Sequence, residues 1–168
     1  MPPTPVASVV FTTYNQPEWL EKVLLGFAVQ SRLDFEVIVA DDGSGRDTGD
    51  AIERLRPALP YALLHLWQPD RGFRKCEALN RAILASRADY LIFTDGDCIP
   101  RRDFVATHLR LRAPGRFLSG GYHKLPMATS RAIGADDIAS GRCFDLRWLR
   151  ARGMPGSRRD LKLAAGPR

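Results

Sequence analysis

The sequence predicts an α/β fold: an open, mostly parallel sheet with helices on both faces. Three observations carry that prediction. Short β-branched, apolar runs alternate with longer stretches whose apolar residues recur at helical spacing. The apolar runs lack the strict alternation of a sheet with one wet face, so both faces are covered. Polar turn residues punctuate each change of period. At 168 residues the chain has the size of one domain.

Val6 to Thr12 is the first strand, β-branched and apolar. Asn15-Gln16-Pro17 ends it, and proline suits the first helical position. Trp19, Leu20, Val23, Leu24, Phe27 and Ala28 then form one apolar stripe. Phe35 to Ala40 is the second strand, ending at Asp41-Asp42-Gly43-Ser44-Gly45. Asp47 or Thr48 is placed to cap a helix that stops near Pro57. Tyr61 to Trp67 is the third strand, with Trp67 expected in the core, and Gln68 to Gly72 is a loop. Lys75 to Ala85 is a helix turning Ala78, Leu79, Ala82 and Ile83 inward. Tyr90 to Thr94 is the fourth strand, Pro100 to Leu111 a helix and Phe117 to Gly121 a fifth strand. After Tyr122 the pattern loosens. Asp136-Asp137 is placed to start a helix, and Phe144, Leu146, Trp148 and Leu149 to continue one. Residues 153–168 are rich in Gly, Pro and Arg and read as a linker, so the chain is expected to be truncated.

Composition narrows the function classes. Hydrophobic content of 45% and charged content of 26% are ordinary for a soluble domain. Cys76, Cys98 and Cys143 show neither zinc spacing nor a disulfide framework, which predicts a reducing cytoplasm. No signal peptide is legible, and no apolar run is long enough to span a bilayer. Residues 142–168 hold eight basic side chains against two acids and so carry the whole net charge of +6. Such a tail suits either an ordinary solvated surface or peripheral contact with an anionic membrane face. Nucleic acid is not an expected partner, because the basic excess is confined to the tail and no aromatic platform accompanies it.

Polar clusters end three of the predicted strands: Thr12-Thr13-Tyr14-Asn15, Asp41-Asp42-Gly43-Ser44 and Asp95-Gly96-Asp97. In a parallel sheet these ends share one edge, where open α/β sheets bind ligands. Paired carboxylates there suit a hard divalent cation that also holds a phosphate. Arg71-Gly72-Phe73-Arg74-Lys75 precedes a helix, whose first amides and cationic neighbours make a seat for phosphate. Each cluster taken alone is equally a polar turn or helix cap. Cys98 lacks a basic partner and reads as inert; His65 and His108 read as structural.

Ser8-Val9-Val10-Phe11-Thr12-Thr13-Tyr14-Asn15, Asp41-Asp42-Gly43-Ser44, Gly72-Phe73-Arg74-Lys75 with Leu79-Asn80, and Asp95-Gly96-Asp97 occur in one order. Together they resemble the family 2 inverting glycosyltransferases, over roughly residues 6–125. The resemblance implies a GT-A, Rossmann-like fold, with residues 1–125 as the nucleotide-sugar donor domain and 126–168 as an incomplete acceptor-side segment. It implies that Thr12 and Tyr14 line the nucleobase pocket, that Asp42 accepts from the pyrimidine ring nitrogen, and that Asp41 supports that loop. Arg74 and Lys75 match the basic position near the nucleotide, and Asn80 would help fix the helix. Asp95 would reach the ribose or the metal, and Asp97 would bind manganese or magnesium bridging the diphosphate. The implied donor is a nucleoside diphosphate sugar, typically of uridine. The implied acceptor is a hydroxyl of a saccharide or glycolipid, and the setting is cytoplasmic or the inner membrane face.

The resemblance also implies a catalytic-base carboxylate in the acceptor half, often in a Glu-Asp pair. This chain has no such pair, so the base is expected to be absent. A nucleotide-sugar-binding unit without turnover therefore stands beside the transferase. A nucleotidyltransferase or phosphohydrolase also uses paired aspartates, but such phosphatases carry them after the first strand. A dehydrogenase needs Gly-x-Gly-x-x-Gly where this chain has Thr12-Thr13-Tyr14-Asn15.

Overall fold

The computed structural model describes residues 3–156. Strands β1 (Ser8–Thr13), β2 (Glu36–Asp41), β3 (Ala62–Trp67) and β4 (Leu91–Phe93) form one sheet in the order β3-β2-β1-β4. All three pairings are parallel, and the register sets Thr13 beside Asp41 and Asp41 beside Trp67. Helices α1 (Pro17–Ala28), α2 (Arg46–Leu55), α3 (Lys75–Ala85) and α4 (Phe104–Leu111) connect or follow the strands.

Alternation along the central strands explains the two covered faces. Val9, Phe11, Val37, Val39 and Ile92 pack with Leu20, Val23, Leu24 and Phe27 of α1, Ile52 of α2 and Val105 of α4. Val10, Ile38 and Ala40, one residue out of phase, pack against Ala78 and Ala82 of α3. The small side chains of α3 let it lie close to the sheet. Phe11 and Phe27 stack at 6.0 Å between ring centres, and Tyr61 donates its hydroxyl to Leu24 O at 2.8 Å, so its one polar atom is satisfied in the core.

Several details differ from the sequence reading. Gly45, not Asp47 or Thr48, occupies the cap position of α2. The fourth helix starts at Phe104 rather than Pro100. Ile83 is 39% exposed and Trp67 49% exposed, because α3 covers only part of its face and β3 is the outer strand. The fifth strand does not form. Phe117 is 89% exposed and the segment pairs with no strand among the described residues, where Gly120-Gly121 offers no side chain to pack.

Past residue 125 the chain folds back over α1. Short helices α5 (Met127–Ala132), α6 (Ala135–Ala139) and α7 (Leu146–Ala151) bring Ile133, Ile138 and Cys143 onto Leu25 and Val29. Asp137 starts α6 by accepting from Gly134 N at 3.0 Å, and Asp145 starts α7 by accepting from Trp148 N at 2.8 Å. The basic residues expected at 158, 159, 162 and 168 lie outside the described residues. Among the described residues no helix is long and apolar enough to cross a membrane.

Candidate functional site

The carboxyl ends of all four strands meet at one edge, with β2 and β4 on either side of β1. Chain order reverses between β1 and β4, so the crevice outside these ends is the place where ligands bind open α/β sheets.

The β2 loop is built around two buried aspartates. Asp41 Oδ1 accepts from Ser44 N at 2.7 Å, and its Oδ2 meets His65 Nε2 at 2.9 Å. Burial pushes the Asp41 carboxyl up, but the hydrogen bonds from His65 and Ser44 outweigh it and hold the pKa below the usual range. Ser44 passes the order on. Its Oγ accepts from Asn15 N at 2.9 Å, its carbonyl accepts from Trp67 Nε1 at 2.9 Å, and Gly45 N donates to Asn15 Oδ1 at 2.8 Å. Asn15 holds a left-handed φ of 49°, which asparagine tolerates better than most residues.

Asp42 ties three loops together. It accepts from Gln68 Nε2 at 2.7 Å and from Arg74 N at 2.8 Å. Gly43 beside it has a φ of 97°, and a Cβ there would stand 2.5 Å from Asp70 Cα, so the β2 and β3 loops can touch only through glycine. Asp70 accepts the Tyr14 hydroxyl at 2.9 Å. That bond, then the Asp70 charge, pushes the phenol up. The Arg74 guanidinium pairs with Glu77 on its own helix, so this residue offers its backbone amide to the loop and its side chain to α3.

Lys75 joins the two halves of the edge. It lines a cleft of about 270 Å³ together with Thr12, Thr13, Tyr14, Asp42, Asp70, Gly72 and Phe73. It also reaches Asp95 Oδ1 at 3.2 Å. Asp42 and Asp97 therefore stand at one edge, linked through Lys75 and the Asp95 loop. Asp95 and Asp97 are both exposed. Gly96 between them presses on β1: a Cβ there would lie 2.5 Å from Thr12 O. Burial, then the charges of Asp97 and Asp95, pushes the neighbouring Cys98 thiol up to about 11, which agrees with its reading as inert. Among the described residues no three His, Cys, Asp or Glu side chains gather into a metal cluster. Asn80 lies exposed on α3.

Gln68 and Asp70 were not singled out by sequence, and Thr13 and Phe73 stood within quoted motifs without a role of their own. Thr13 is buried with its hydroxyl unpartnered among the described residues, and Phe73 is 88% exposed beside the cleft. A signal existed for Gln68 and Asp70. They follow the third strand, whose end falls on the same edge as the other three.

Comparison with known proteins places this geometry. The model of the family described as Glycosyl transferase family 2 matches residues 8–112. The uncharacterized glycosyltransferase YfnE of Bacillus subtilis is 35% identical over 105 residues, 62% of this chain and 26% of the relative. Validoxylamine A glucosyltransferase of Streptomyces hygroscopicus subsp. jinggangensis is 32% identical over 111 residues, 65% of this chain and 26% of the relative. The mannosyltransferase PcManGT of Pyrobaculum calidifontis, solved in complex with GDP-Man and Mn2+, superposes with a TM-score of 0.60. It is 27% identical, and the match covers 67% of this chain and 34% of that one. The chain thus spans about a quarter of the length of these two curated relatives.

Proposed function

The chain belongs to glycosyl transferase family 2, and from that premise we propose that it binds the nucleoside diphosphate end of a sugar donor for a metal-dependent, inverting transfer to a hydroxyl. One observation carries the reading: Tyr14, Asp42 and Lys75 line a single cleft at the carboxyl edge of the sheet, and Lys75 reaches from it to Asp95.

Each residue has a part. Thr12 and Tyr14 flank the nucleobase. Asp42 accepts from a ring N–H, since a carboxylate has about four lone-pair sites and Gln68 and Arg74 occupy two of them. Lys75 and the first amides of α3 face the diphosphate, where a helix start and a cation favour negative charge. The donor set fits a hard divalent cation: Asp95 and Asp97 offer exposed carboxylate oxygens. Manganese or magnesium bound there supplies charge neutralisation for the departing nucleoside diphosphate. PcManGT, with its Mn2+ and GDP-Man, supports a metal and a nucleotide sugar.

An inverting transfer also needs a general base at the acceptor hydroxyl. Asp137 is engaged by Gly134 N and by Arg142 at 2.9 Å, and we assign the base to no described residue. With no base assigned among the described residues, a second reading is a nucleotide-sugar-binding unit without turnover. In the transferase reading the acceptor is a saccharide or glycolipid hydroxyl. Three unpaired cysteines support a cytoplasmic setting.

Calorimetry with UDP and with GDP, with and without manganese, tests the proposal. One nucleotide binds, and manganese tightens it by about tenfold or more, roughly 1.4 kcal/mol. Failure of both to bind overturns it. Binding without sugar transfer to any hydroxyl selects the second reading.

A further inference from the structure

A second, larger recess opens on the other side of the Asp41–Gly45 loop. Its volume is about 460 Å³, within the ~300–1,000 Å³ of small-ligand sites. Trp67 and His65 of β3 and Gly49, Asp50 and Glu53 of α2 line it, and the Asp41–Ser44 turn separates it from the donor cleft.

Three features mark it as built. Trp67 is 49% exposed at a strand end, yet its Nε1 is fixed to Ser44 O at 2.9 Å, so the indole stands as a rigid half-open wall. Gly49 lies mid-helix, where glycine costs about 0.5–1 kcal/mol against alanine. Nothing lies within 4 Å of a Cβ placed there, so no packing constraint explains it, and a side chain would project into the recess. Finally, the charges at its base are spent. Asp41 is engaged by Ser44 and His65, and Glu53 by Arg56 at 2.8 Å. Among the described residues Asp50 has no partner, and Arg46 lies on the same rim.

We infer that this recess is a carbohydrate site distinct from the donor cleft, taking a neutral pyranose ring of a glycan. A flat aromatic wall meets the C–H face of such a ring, and surrounding carboxylate, imidazole and guanidinium groups meet its hydroxyls. Three carboxylates against one guanidinium in the lining disfavour phosphate, and among the described residues a cation finds only one uncommitted carboxylate, Asp50. The site shares Ser44 with the donor loop, so a glycan seated there lies one residue from the machinery proposed above without depending on it.

The test uses the 168-residue chain labelled with 15N. Cellotetraose, maltotetraose and tri-N-acetylchitotriose are titrated separately to about 20 mM, a range that reaches weak millimolar affinities. At least one is expected to shift the Gly45 and Gly49 amides and the Trp67 indole N–H in a saturable way. Trp67→Ala weakens that response about tenfold or more. Gly49→Leu, at a half-buried helix position with open space at its Cβ, does the same by filling the recess. Absence of any saturable shift overturns the site, as does an undiminished response in Gly49→Leu. So does UDP shifting these resonances in place of the sugars, which would make the recess a nucleotide seat. UDP with manganese, followed at Tyr14 and Gly72, reports on the donor reading alone.

Discussion

The two edges of the sheet both bury carboxylates, and they use them in opposite ways. At the amino edge, Glu36 is 4% exposed and accepts three hydrogen bonds. It accepts from Ser8 Oγ at 2.6 Å, from Arg87 N at 2.8 Å and from Arg87 Nε at 2.7 Å. Ser8 Oγ in turn accepts from Ala88 N at 3.2 Å, so the edge is closed. At the carboxyl edge Asp41 and Asp42 are as deeply buried, but they organise loops that leave Tyr14, Asp95 and Asp97 facing solvent. A carboxylate with three of its roughly four lone-pair sites matched within the chain is a staple. One left with lone pairs at an open edge is available to a ligand.

The contrast predicts a graded set of effects on stability, with the opposite grading on binding. Glu36→Ala strips Ser8, Arg87 N and the Arg87 guanidinium of their acceptor and should cost about 2–4 kcal/mol in urea unfolding. Nucleotide affinity of the folded fraction should stay unchanged; a cost below about 0.5 kcal/mol would show that the amino edge is not a staple. Asp42→Ala leaves Gln68 and Arg74 N without their acceptor. It should cost about 1–3 kcal/mol and also weaken nucleoside binding in the absence of metal. Full affinity would remove Asp42 from the pocket. Asp97→Ala, at an exposed position, should leave stability within about 0.5 kcal/mol while abolishing the manganese-dependent gain in nucleotide affinity. A retained gain would refute the metal role.

Acid sharpens the same comparison. Burial pushes the Glu36 carboxyl up, but Ser8 and Arg87 outweigh it and hold it below the usual range. The Asp41 carboxyl is depressed for the analogous reason. Groups depressed in the folded state contribute stability that is fully present above their unfolded pKa values, near 4, and is lost as pH falls through the folded values. Unfolding free energy should therefore begin to fall below about pH 6.5, because burial disfavours the charged form of the His108 imidazole in the folded state, and should fall more steeply below about pH 5 as the carboxylates protonate. In Glu36→Ala the fall should be shallower.

The sequence made most of this layout legible, for a physical reason. Buried parallel strands are continuous apolar runs, so β1 to β4 stand out, and their polar ends must share an edge. The run 75–85 foretold α3 because its small residues recur at helical spacing. What stayed hidden depends on partners distant in the chain. Asp41 meets His65 across 24 residues, and Tyr14 meets Asp70 across 56. Trp67 was misplaced because hydrophobicity says nothing about whether a strand lies outermost. Phe117 to Gly121 has the composition of a strand, and pairing rather than composition decides whether one forms.

Gly96 has a consequence for how the two exposed acids are held. With a single hydrogen facing the Thr12 carbonyl, the corner between Asp95 and Asp97 has no slack to retreat toward β1. Any larger residue would have to lever the Asp95–Asp97 turn outward, or prise apart the three-residue seam where β1 meets β4. The first strand thus acts as an anvil beneath the acidic pair.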